Sequence, residues 1–324
     1  MSELVAAISM SHAPGMLGWP DHPPVEMQRD MQRAVDEIAS YLEAARPDLI
    51  VAILDDHFEN LYRNLMPVFA IGVAEQHVGP AAYWLEALRL MRQTVFGGAP
   101  REAEWLLREM VGRGFDVARM GEIEYGNNLM VPIQFIRPEA DIPIVPVFVN
   151  VFSAPVATTR RAYAFGEALR EAIAAMPGNR RVAVLATGGL SHWPPFWRDR
   201  PEDQQGFLTR MKRFQTEGRA VLATDPNLMT DLGAYEIEMA RTSKVPLVNE
   251  RWDRAILDAY ARGDVGFITG LTNDEIESQG GHGGLEILNW TVTMGAAGGR
   301  RARVLGYQPC VEWICGMGFL VYDF

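Results

Sequence analysis

The sequence contains only two cysteines in 324 residues, Cys310 and Cys315. Two cysteines provide no disulfide framework, and the pattern CxxxxC is a weak metal-binding signal by itself. No run approaches the roughly 18 to 20 uninterrupted apolar residues that a membrane helix needs. The first residues, MSELVAAISMSHAPG, lack the basic region of a signal peptide. Together these features predict a cytoplasmic protein.

The sequence also has fewer positively charged than negatively charged residues. The chain carries 30 Lys and Arg against 41 Asp and Glu, which gives a formal net charge of −11. The stretch GGRRARV (298–304) holds only three arginines and is typical of a solvated turn. This balance argues against nucleic acids and anionic membrane surfaces as main partners.

Several familiar catalytic signatures are missing. The sequence has no GxSxG nucleophile elbow, no GxxxxGK[ST] phosphate loop and no dinucleotide-binding fingerprint. Ser191 and His192 are adjacent, and adjacent side chains rarely face one another as nucleophile and base. The sequence therefore gives no support for serine hydrolase, nucleotide hydrolase or dinucleotide-dependent chemistry.

Continuous apolar runs that alternate with amphipathic helices indicate an α/β fold. Such runs predict strands buried on both faces, so we expect a largely parallel or mixed central sheet with helices on both faces. The predicted strands are 4–9, 48–54, 141–152 and 180–189. Prolines in 141–152 suggest that this segment is an edge strand or contains a kink. The predicted helices are 25–45, 83–95, 101–114, 159–176, 249–264 and 283–298.

No repeat or low-complexity linker divides the chain, so we expect one domain over 1–324. Segment 196–247 is helical and charged, and it predicts an insertion or lid over the edge of the sheet. The tail 299–324 is too aromatic to be disordered, and we expect it to pack on the body or on another subunit.

The sequence has six histidines, and three of them directly follow predicted strands: His12, His57 and His192. The carboxyl ends of parallel strands meet at one edge of a sheet, where ligand sites are built. These three residues therefore predict a shared site. His22 and His77 are expected at the surface.

A pair of imidazoles at adjacent strand ends favours a metal such as Zn, Fe, Cu or Ni, with a carboxylate as third ligand. Sequence spacing leaves four candidates open: Asp55, Asp56, Glu250 and Glu286. On Fe(II), two histidines and a carboxylate leave positions for an organic chelate and O₂. On Zn the same ligands activate water for hydrolysis. A further histidine nearby would suit acid/base chemistry.

Seven segments in order resemble the class III extradiol ring-cleaving dioxygenases, the superfamily of the protocatechuate 4,5-dioxygenase beta subunit. The resemblance is closest to the 2,3-dihydroxyphenylpropionate 1,2-dioxygenase branch and runs nearly end to end. The segments are SHAPGMLG, LDDHFENLYRNLMPVFAIGV, IPIVPVFVNVFSAP, GGLSHWPP, VNERWDRAILDAYARGD, GGHGGLEILNW and PCVEWICGMGF.

The resemblance implies that non-haem Fe(II) is held by His12, His57 and Glu286, with His192 as an acid/base group. It implies O₂-dependent cleavage of a catechol-type substrate to a muconic semialdehyde-type product. Four more residues are predicted to bind substrate or support the ligands: Asp56, Trp193, Pro14 and His282. The glycines around the last of these allow the backbone to approach another group closely.

One position departs from the family pattern. Many members carry an Asp-His-Gly-like element where this sequence has Glu124-Tyr125-Gly126. A phenol has a pKa near 10, so Tyr125 could donate a hydrogen bond but would be a poor base at neutral pH. We expect Tyr125 either to take part in catalysis or substrate reading, or to be a packing residue.

Two other functions compete with ring cleavage at this stage. The same pocket with Zn would suit a hydrolase or lyase, and a non-catalytic metal-binding protein on a dioxygenase scaffold is the third alternative. We expect homo-oligomers, and a separate small alpha subunit, found with some relatives, stays an open alternative.

Overall fold

The structure is a computed structural model that describes residues 1–198 and 206–324. Long apolar runs form the central strands, because side chains on both faces of these strands are buried. In chain order the strands are β1 (Glu3–Met10), β2 (Leu49–Leu54), β3 (Phe69–Gly72), β4 (Gln76–Gly79), β5 (Thr94–Gly97), β6 (Val117–Met120), β7 (Ile144–Val149), β8 (Arg181–Thr187), β9 (Ala302–Cys310) and β10 (Cys315–Tyr322).

Eight of these strands form one mixed sheet in the order β6-β3-β7-β2-β8-β1-β10-β9. The central strands β7, β2, β8 and β1 run parallel, whereas β3 is antiparallel to β7 and β10 is antiparallel to β1. Strands β4 and β5 form a separate hairpin. The predicted largely parallel or mixed sheet is confirmed.

Helices cover both faces of this sheet. They are α1 (Gly15–Gly18), α2 (Val25–Ala45), α3 (Pro100–Gly112), α4 (Asn127–Ile136), α5 (Thr159–Ala175), α6 (Phe207–Glu217), α7 (Leu228–Thr242), α8 (Glu250–Arg262), α9 (Val265–Gly270), α10 (Asn273–Gly280) and α11 (Ile287–Ala296). The core on one face includes α3, α5, α8 and α11, and the core on the other includes α2, α4, α6 and α7. Successive side chains of β2 enter alternate cores, as strand geometry requires.

Local sequence signals account for most of the helices. Helix α2 buries Met31, Val35, Ile38 and Leu42 on one face, as its apolar spacing predicts. It ends where Arg46 adopts a left-handed conformation directly before Pro47, a residue that cannot extend the helix. The predicted helices 101–114, 159–176, 249–264 and 283–298 also form, within a few residues of the expected bounds.

The predicted helix 83–95 is wrong. Only Ala82–Trp84 forms a short 3₁₀ turn, and Arg89 takes a left-handed conformation that interrupts any helix. The end of the segment pairs with β4 as strand β5 instead. Long-range pairing has therefore overridden a local helical pattern.

The edge position suggested for the strand in 141–152 is also wrong, because β7 lies between β3 and β2. The pairing of β7 with β3 ends at Val147 and Ile71, one residue before Pro146 is reached. Pro146 is therefore opposite a β3 residue that is not paired with it, and it pairs only with Ala52 of β2. Gly72 on β3 leaves the space that the proline ring occupies.

The aromatic tail supplies β9 and β10, which extend the sheet beside β1. The predicted insertion 196–247 contains α6 and α7, and its residues 199–205 lie outside the described part of the chain. Among the described residues, no helix combines the length and apolar character that crossing a membrane requires.

Candidate metal centre

The carboxyl ends of three neighbouring strands bring the predicted site residues together. Met10 of β1 pairs with Thr187 of β8, and Ile53 of β2 pairs with Ala186 of β8, so these strands end side by side. His12 follows β1, His57 follows β2 and His192 follows β8 by a few residues. The shared edge expected from the sequence therefore exists.

Four buried side chains converge at this edge. His12, Asp55, His57 and Glu286 each present one ligand atom, and these atoms all lie within 4.8 Å of one another. Nε2 of His57 lies 3.2 Å from Oδ2 of Asp55 and 3.6 Å from Oε1 of Glu286. Nε2 of His12 lies 3.6 Å from Oε2 of Glu286 and 3.9 Å from Oδ2 of Asp55.

These separations suit a shared metal ion. Two ligand atoms that each bind one ion at about 2.1 Å lie roughly 3 to 4 Å apart. Oδ2 of Asp55 is buried and accepts no hydrogen bond from any described residue, which is the condition of an oxygen available to a cation. Two imidazoles and two carboxylates form a donor set that Fe(II) and Zn both accept.

Hydrogen bonds from neighbouring groups hold the carboxylates of Asp55 and Glu286 in place. Asn289 of α11 donates through Nδ2 to Oδ1 of Asp55, at 2.7 Å, and to the carbonyl oxygen of Thr187, at 2.8 Å. The backbone N–H of Gly189 donates to Oε2 of Glu286. Glu286 reaches the cluster because it ends the 3₁₀ turn Gly283–Glu286 that leads into α11.

Buried negative charge dominates the electrostatics of the cluster. Burial, followed by the charge of Glu286, raises the pKa of Asp55 to about 6. Burial alone would lower the pKa of His57, but the charges of Asp55, Glu59 and Glu286 raise it to about 10. A nearby positive charge is therefore favoured at the cluster, and a metal cation is one way to supply that charge.

His192 lies beside the cluster and lines the same cavity. Its Nδ1 lies 2.9 Å from the carbonyl oxygen of Leu190, which can only accept, so Nδ1 carries the hydrogen. Nε2 is then the atom that gains or loses a proton, and it lies 3.4 Å from Oε1 of Glu286. Burial lowers the pKa of His192, but the charge of Glu286 and the hydrogen bonds to Glu286 and to the Leu190 carbonyl oxygen together outweigh burial, so the net shift of the pKa is upward.

The glycine-rich segment around His282 approaches His192. A Cβ at Gly283 would overlap the His192 imidazole, and one at Gly281 would overlap the His192 carbonyl oxygen. The backbone N–H of Gly283 donates to that same carbonyl oxygen, at 3.2 Å. The close approach that the glycines allow is therefore an approach to His192.

A cavity of about 500 Å³, counting its open mouth, lies over the cluster. Of the residues predicted to contact substrate, Pro14 lines it together with His12, His57 and His192. Its other walls come from several elements: Ala13, Trp84, Asn127, Gly189, Pro194, Phe196, Leu232, Glu236, Trp313, Ile314 and Cys315.

Three predicted residues do not line this cavity. Trp193 and His282 lie in a separate surface cleft. Asp56 is buried, but its carboxylate accepts hydrogen bonds from the backbone of Asn60 and Leu61 and from Asn60 Nδ2, so it holds the loop after β2. Asp56, Trp193 and His282 therefore lie outside the described lining of the cavity.

Tyr125 also lies away from the cavity, contrary to its predicted catalytic position. It is fully buried, with its ring 5.8 Å from that of His77 and 5.3 Å from that of Phe96. Burial raises the pKa of Tyr125 above its ordinary value, and its hydroxyl has no hydrogen-bond partner among the described residues. The structure supports the packing alternative.

Glu250, His22 and His77 differ in how far they are exposed to solvent. Glu250 is exposed and pairs with Arg254 on α8, so it is not near the cluster. His22 is exposed as expected, whereas His77 is buried and burial lowers its pKa to about 4, so its predicted surface position is wrong.

Sequence reasoning missed other residues at the site. Glu236 stands four positions after Leu232 on the buried face of α7, and both line the cavity. A carboxylate at helical spacing within an apolar stripe was the available signal. Asn127 donates to the carbonyl oxygen of His12, and its signal was an amide pair opening the otherwise apolar helix α4.

The fold and the cluster together define an α/β protein with a buried metal-binding site at the edge of a mixed sheet. The model of the family described as the catalytic LigB subunit of aromatic ring-opening dioxygenase matches residues 6–318. The chain belongs to this family.

Curated relatives cover nearly the whole chain. A 2,3-dihydroxyphenylpropionate/2,3-dihydroxicinnamic acid 1,2-dioxygenase from Rhodococcus sp is 29% identical over 97% of this chain and 96% of its own length. A protein of the same name from Photorhabdus laumondii is 27% identical over 98% and 96%. Another, from Burkholderia vietnamiensis, is 28% identical over 95% and 94%.

A solved structure shares the fold. The crystal structure of an uncharacterized protein from Escherichia coli K12 superposes with a TM-score of 0.52, at 13% identity, over 98% of this chain and 100% of that one. At this identity the likeness concerns architecture alone.

Proposed function

We propose that this protein is an Fe(II)-dependent extradiol dioxygenase that opens the ring of a catechol-type substrate with O₂. The observation that carries the proposal is the convergence of His12, His57 and Glu286 beside His192 in one cavity. Membership of the ring-opening dioxygenase family and the names of the relatives support the reaction class. A muconic semialdehyde-type compound is the expected product.

In the proposed site, His12, His57 and Glu286 hold the iron, and Asp55 is the neighbouring carboxylate that Asn289 orients. Iron in such a site supplies a chelation point for the diol and an electron path between the ring and O₂. The remaining steps are proton movements and positioning by the protein.

His192 is the proposed proton acceptor for the diol. Because Nδ1 is protonated toward the Leu190 carbonyl oxygen, Nε2 offers a lone pair to a hydroxyl in the cavity. Glu286, 3.4 Å away, stabilises the imidazolium that forms. The same Nε2–H can later return the proton to a departing oxygen, so one side chain serves as base and then as acid.

The walls of the cavity suit a planar ring. Trp84, Phe196 and Trp313 supply aromatic surface, on which a bound ring can pack by stacking or edge contacts. Burial between these walls also excludes water, which strengthens the interactions of the diol with charged groups.

The test is O₂ uptake by protein that has been purified anaerobically and loaded with Fe(II). Across catechols, gallate and protocatechuate analogues, uptake should match the formation of a new near-ultraviolet or visible product band. His192→Gln should keep its iron and lose about 10²- to 10⁴-fold in rate. Iron bound without O₂ uptake for any diol, or turnover with Zn under anaerobic conditions, would contradict the proposal.

We further propose that residues 1–324 form one catalytic domain, in which 196–247 acts as a lid and 299–324 completes the sheet. Helix α7 supports the lid because Leu232 and Glu236 line the cavity. Homo-oligomer formation stays a prediction, the need for a small alpha subunit stays an open alternative, and a cytoplasmic location stays a prediction. Light scattering on the purified chain, together with its activity alone, tests the first two.

A further inference from the structure

Glu236 is a buried carboxylate in the cavity that the proposed reaction does not use. Glu236 is 8% exposed. It lies on α7 four positions after Leu232, and both residues line the cavity. The histidines of the cluster and His192 follow strand ends instead, and Glu286 comes from the turn before α11. Glu236 therefore lies in the wall that α7 contributes.

This carboxylate has no partner among the described residues. No side chain or backbone group of residues 1–198 and 206–324 forms a hydrogen bond or ion pair with it, although His57 and His192 act on it electrostatically. Burial raises the pKa of Glu236 to about 7. A mostly buried carboxylate in a cavity wall, with no partner in the described chain, is a candidate to bind a ligand group.

The surroundings of Glu236 favour one kind of ligand group. Within the described chain, the cavity lining includes no Lys or Arg, and Glu286 is its other carboxylate. A substrate carboxylate placed beside Glu236 would face like charge from the ionised form of Glu236, and the cations it could reach in the described chain are the cavity histidines His57 and His192 rather than a Lys or Arg. An ammonium, amine or hydroxyl group would donate a hydrogen bond to Glu236 and satisfy it.

We propose that Glu236 selects diols whose ring substituent donates a hydrogen bond and carries no negative charge, with an aminoalkyl catechol as the best fit. This inference rests on the proposed function, and it deepens that function by naming the substrate class. It also separates this protein from relatives whose printed name contains the acid 2,3-dihydroxyphenylpropionate. Glu236 acts as a specificity residue, and His192 keeps the proton chemistry.

Three catechols with side chains of similar size at the same ring position test the proposal: 3-(2-aminoethyl)catechol, 3-propylcatechol and 2,3-dihydroxyphenylpropionate. Dissociation constants are measured anaerobically on the Fe(II)-loaded protein by tryptophan fluorescence, since Trp84 and Trp313 line the cavity. Values of kcat/KM follow from O₂ uptake. In the wild type, the amine should exceed the acid by about tenfold or more in both measurements.

Glu236→Gln should reduce the preference for the amine over the acid by about tenfold or more, mainly through the dissociation constants and KM. Glu238→Gln is the matched control, because it removes a carboxylate from an exposed position of the same helix. That control should leave the values for all three catechols unchanged.

The outcomes separate the two proposals. Cleavage of catechols with an acid preference, or with a ratio that Glu236→Gln leaves unchanged, would overturn the role of Glu236 and leave ring cleavage standing. An equal loss of kcat for all three would also overturn it, because the carboxylate would then act on the diol. Tight, Glu236-dependent binding of the amine without cleavage would support the inference and contradict the proposed reaction.

Discussion

Nδ1 of His12 lies 3.0 Å from the hydroxyl oxygen of Thr187, and this contact fixes the orientation of the imidazole. The Thr187 hydroxyl has one hydrogen, which it donates to the carbonyl oxygen of Asn128 at 2.7 Å. Its oxygen must therefore accept from Nδ1–H of His12, so Nε2 carries the lone pair toward the cluster. A threonine that ends β8 thus orients a proposed ligand that follows β1.

Thr187→Val should weaken metal binding by about 10- to 100-fold, because Nδ1–H of His12 loses its acceptor and the ring is no longer held. Competition with a chromophoric chelator measures the affinity. Thr187→Ser keeps a hydroxyl and should restore binding. Thr293→Val is the matched control, since the Thr293 hydroxyl is buried without a partner among the described residues. Equal affinities in all variants would show that His12 needs no such support.

Removal of any of the three proposed ligands should abolish stoichiometric iron. His12→Gln, His57→Gln and Glu286→Gln each delete a donor from the cluster, so the loss of affinity should exceed the roughly 10- to 100-fold effect of losing a supporting group. Metal content is measured after anaerobic loading and gel filtration. Turnover should fall with the iron content.

Two further carboxylates sharpen this prediction. Asp55→Asn should retain iron with about 10- to 100-fold weaker affinity, as expected for a neighbouring group that is not itself a ligand. Glu250→Gln removes an exposed carboxylate and should bind iron like the wild type. If Asp55→Asn lost iron as completely as Glu286→Gln, the ligand set would have to include Asp55.

The sheet and the strand-end histidines could be read from the sequence because they depend on local pattern. Continuous apolar runs specify buried strands, and residues that follow parallel strands necessarily meet at one edge. His12, His57 and His192 are placed by this logic alone. Local pattern could not identify the carboxylate of the cluster, because Glu286 reaches it from a turn that is more than 200 positions away from His57 in the chain.

Features set by tertiary contacts escaped the same reasoning. Segment 83–95 has helical spacing, but its end forms strand β5, which pairs with β4. Tyr125 could be assigned a catalytic part from the family pattern, but its ring packs beside His77 and Phe96 in the core. Glu236 gave a weak signal, because a carboxylate on an apolar helix face gains meaning only when the cavity beside it is known.

Tyr125→Phe should leave kcat/KM within about twofold of the wild type, since the hydroxyl lies outside the cavity lining. Stability should rise by about 1 kcal/mol, because the substitution removes a buried hydroxyl that has no hydrogen bond to a described residue. Urea unfolding and O₂ uptake measure the two effects.

Tyr260→Phe is the matched control for buried tyrosine hydroxyls. The Tyr260 hydroxyl lies 3.1 Å from that of Thr291, so its removal should lower the free energy of unfolding by about 1 kcal/mol. A loss of activity of tenfold or more in Tyr125→Phe, with iron retained, would return Tyr125 to the catalytic role that the family pattern suggested.

A buried carboxylate behind His192 predicts an unusual pH dependence of stability. Asp253 accepts hydrogen bonds from the backbone N–H and hydroxyl of Ser191, at 2.7 and 2.8 Å, and from the hydroxyl of Tyr307, at 2.7 Å. Burial raises the pKa of Asp253 to about 6 against the lowering effect of these hydrogen bonds. In the unfolded chain an aspartate has a pKa near 4.

The folded chain therefore binds the Asp253 proton more tightly than the unfolded chain, so the contribution of this group to stability falls as pH rises from about 4 to 6. Relative to Asp253→Asn, which does not titrate, the wild type should gain about 3 kcal/mol in unfolding free energy when the pH falls from 7 to below 4. Urea unfolding of metal-free protein at several pH values measures this difference. Asp258→Asn, at an exposed position of α8, controls for the loss of a carboxylate. A difference between wild type and Asp253→Asn that stays constant with pH, or grows as pH rises, would mean that the three hydrogen bonds outweigh burial and keep Asp253 ionised.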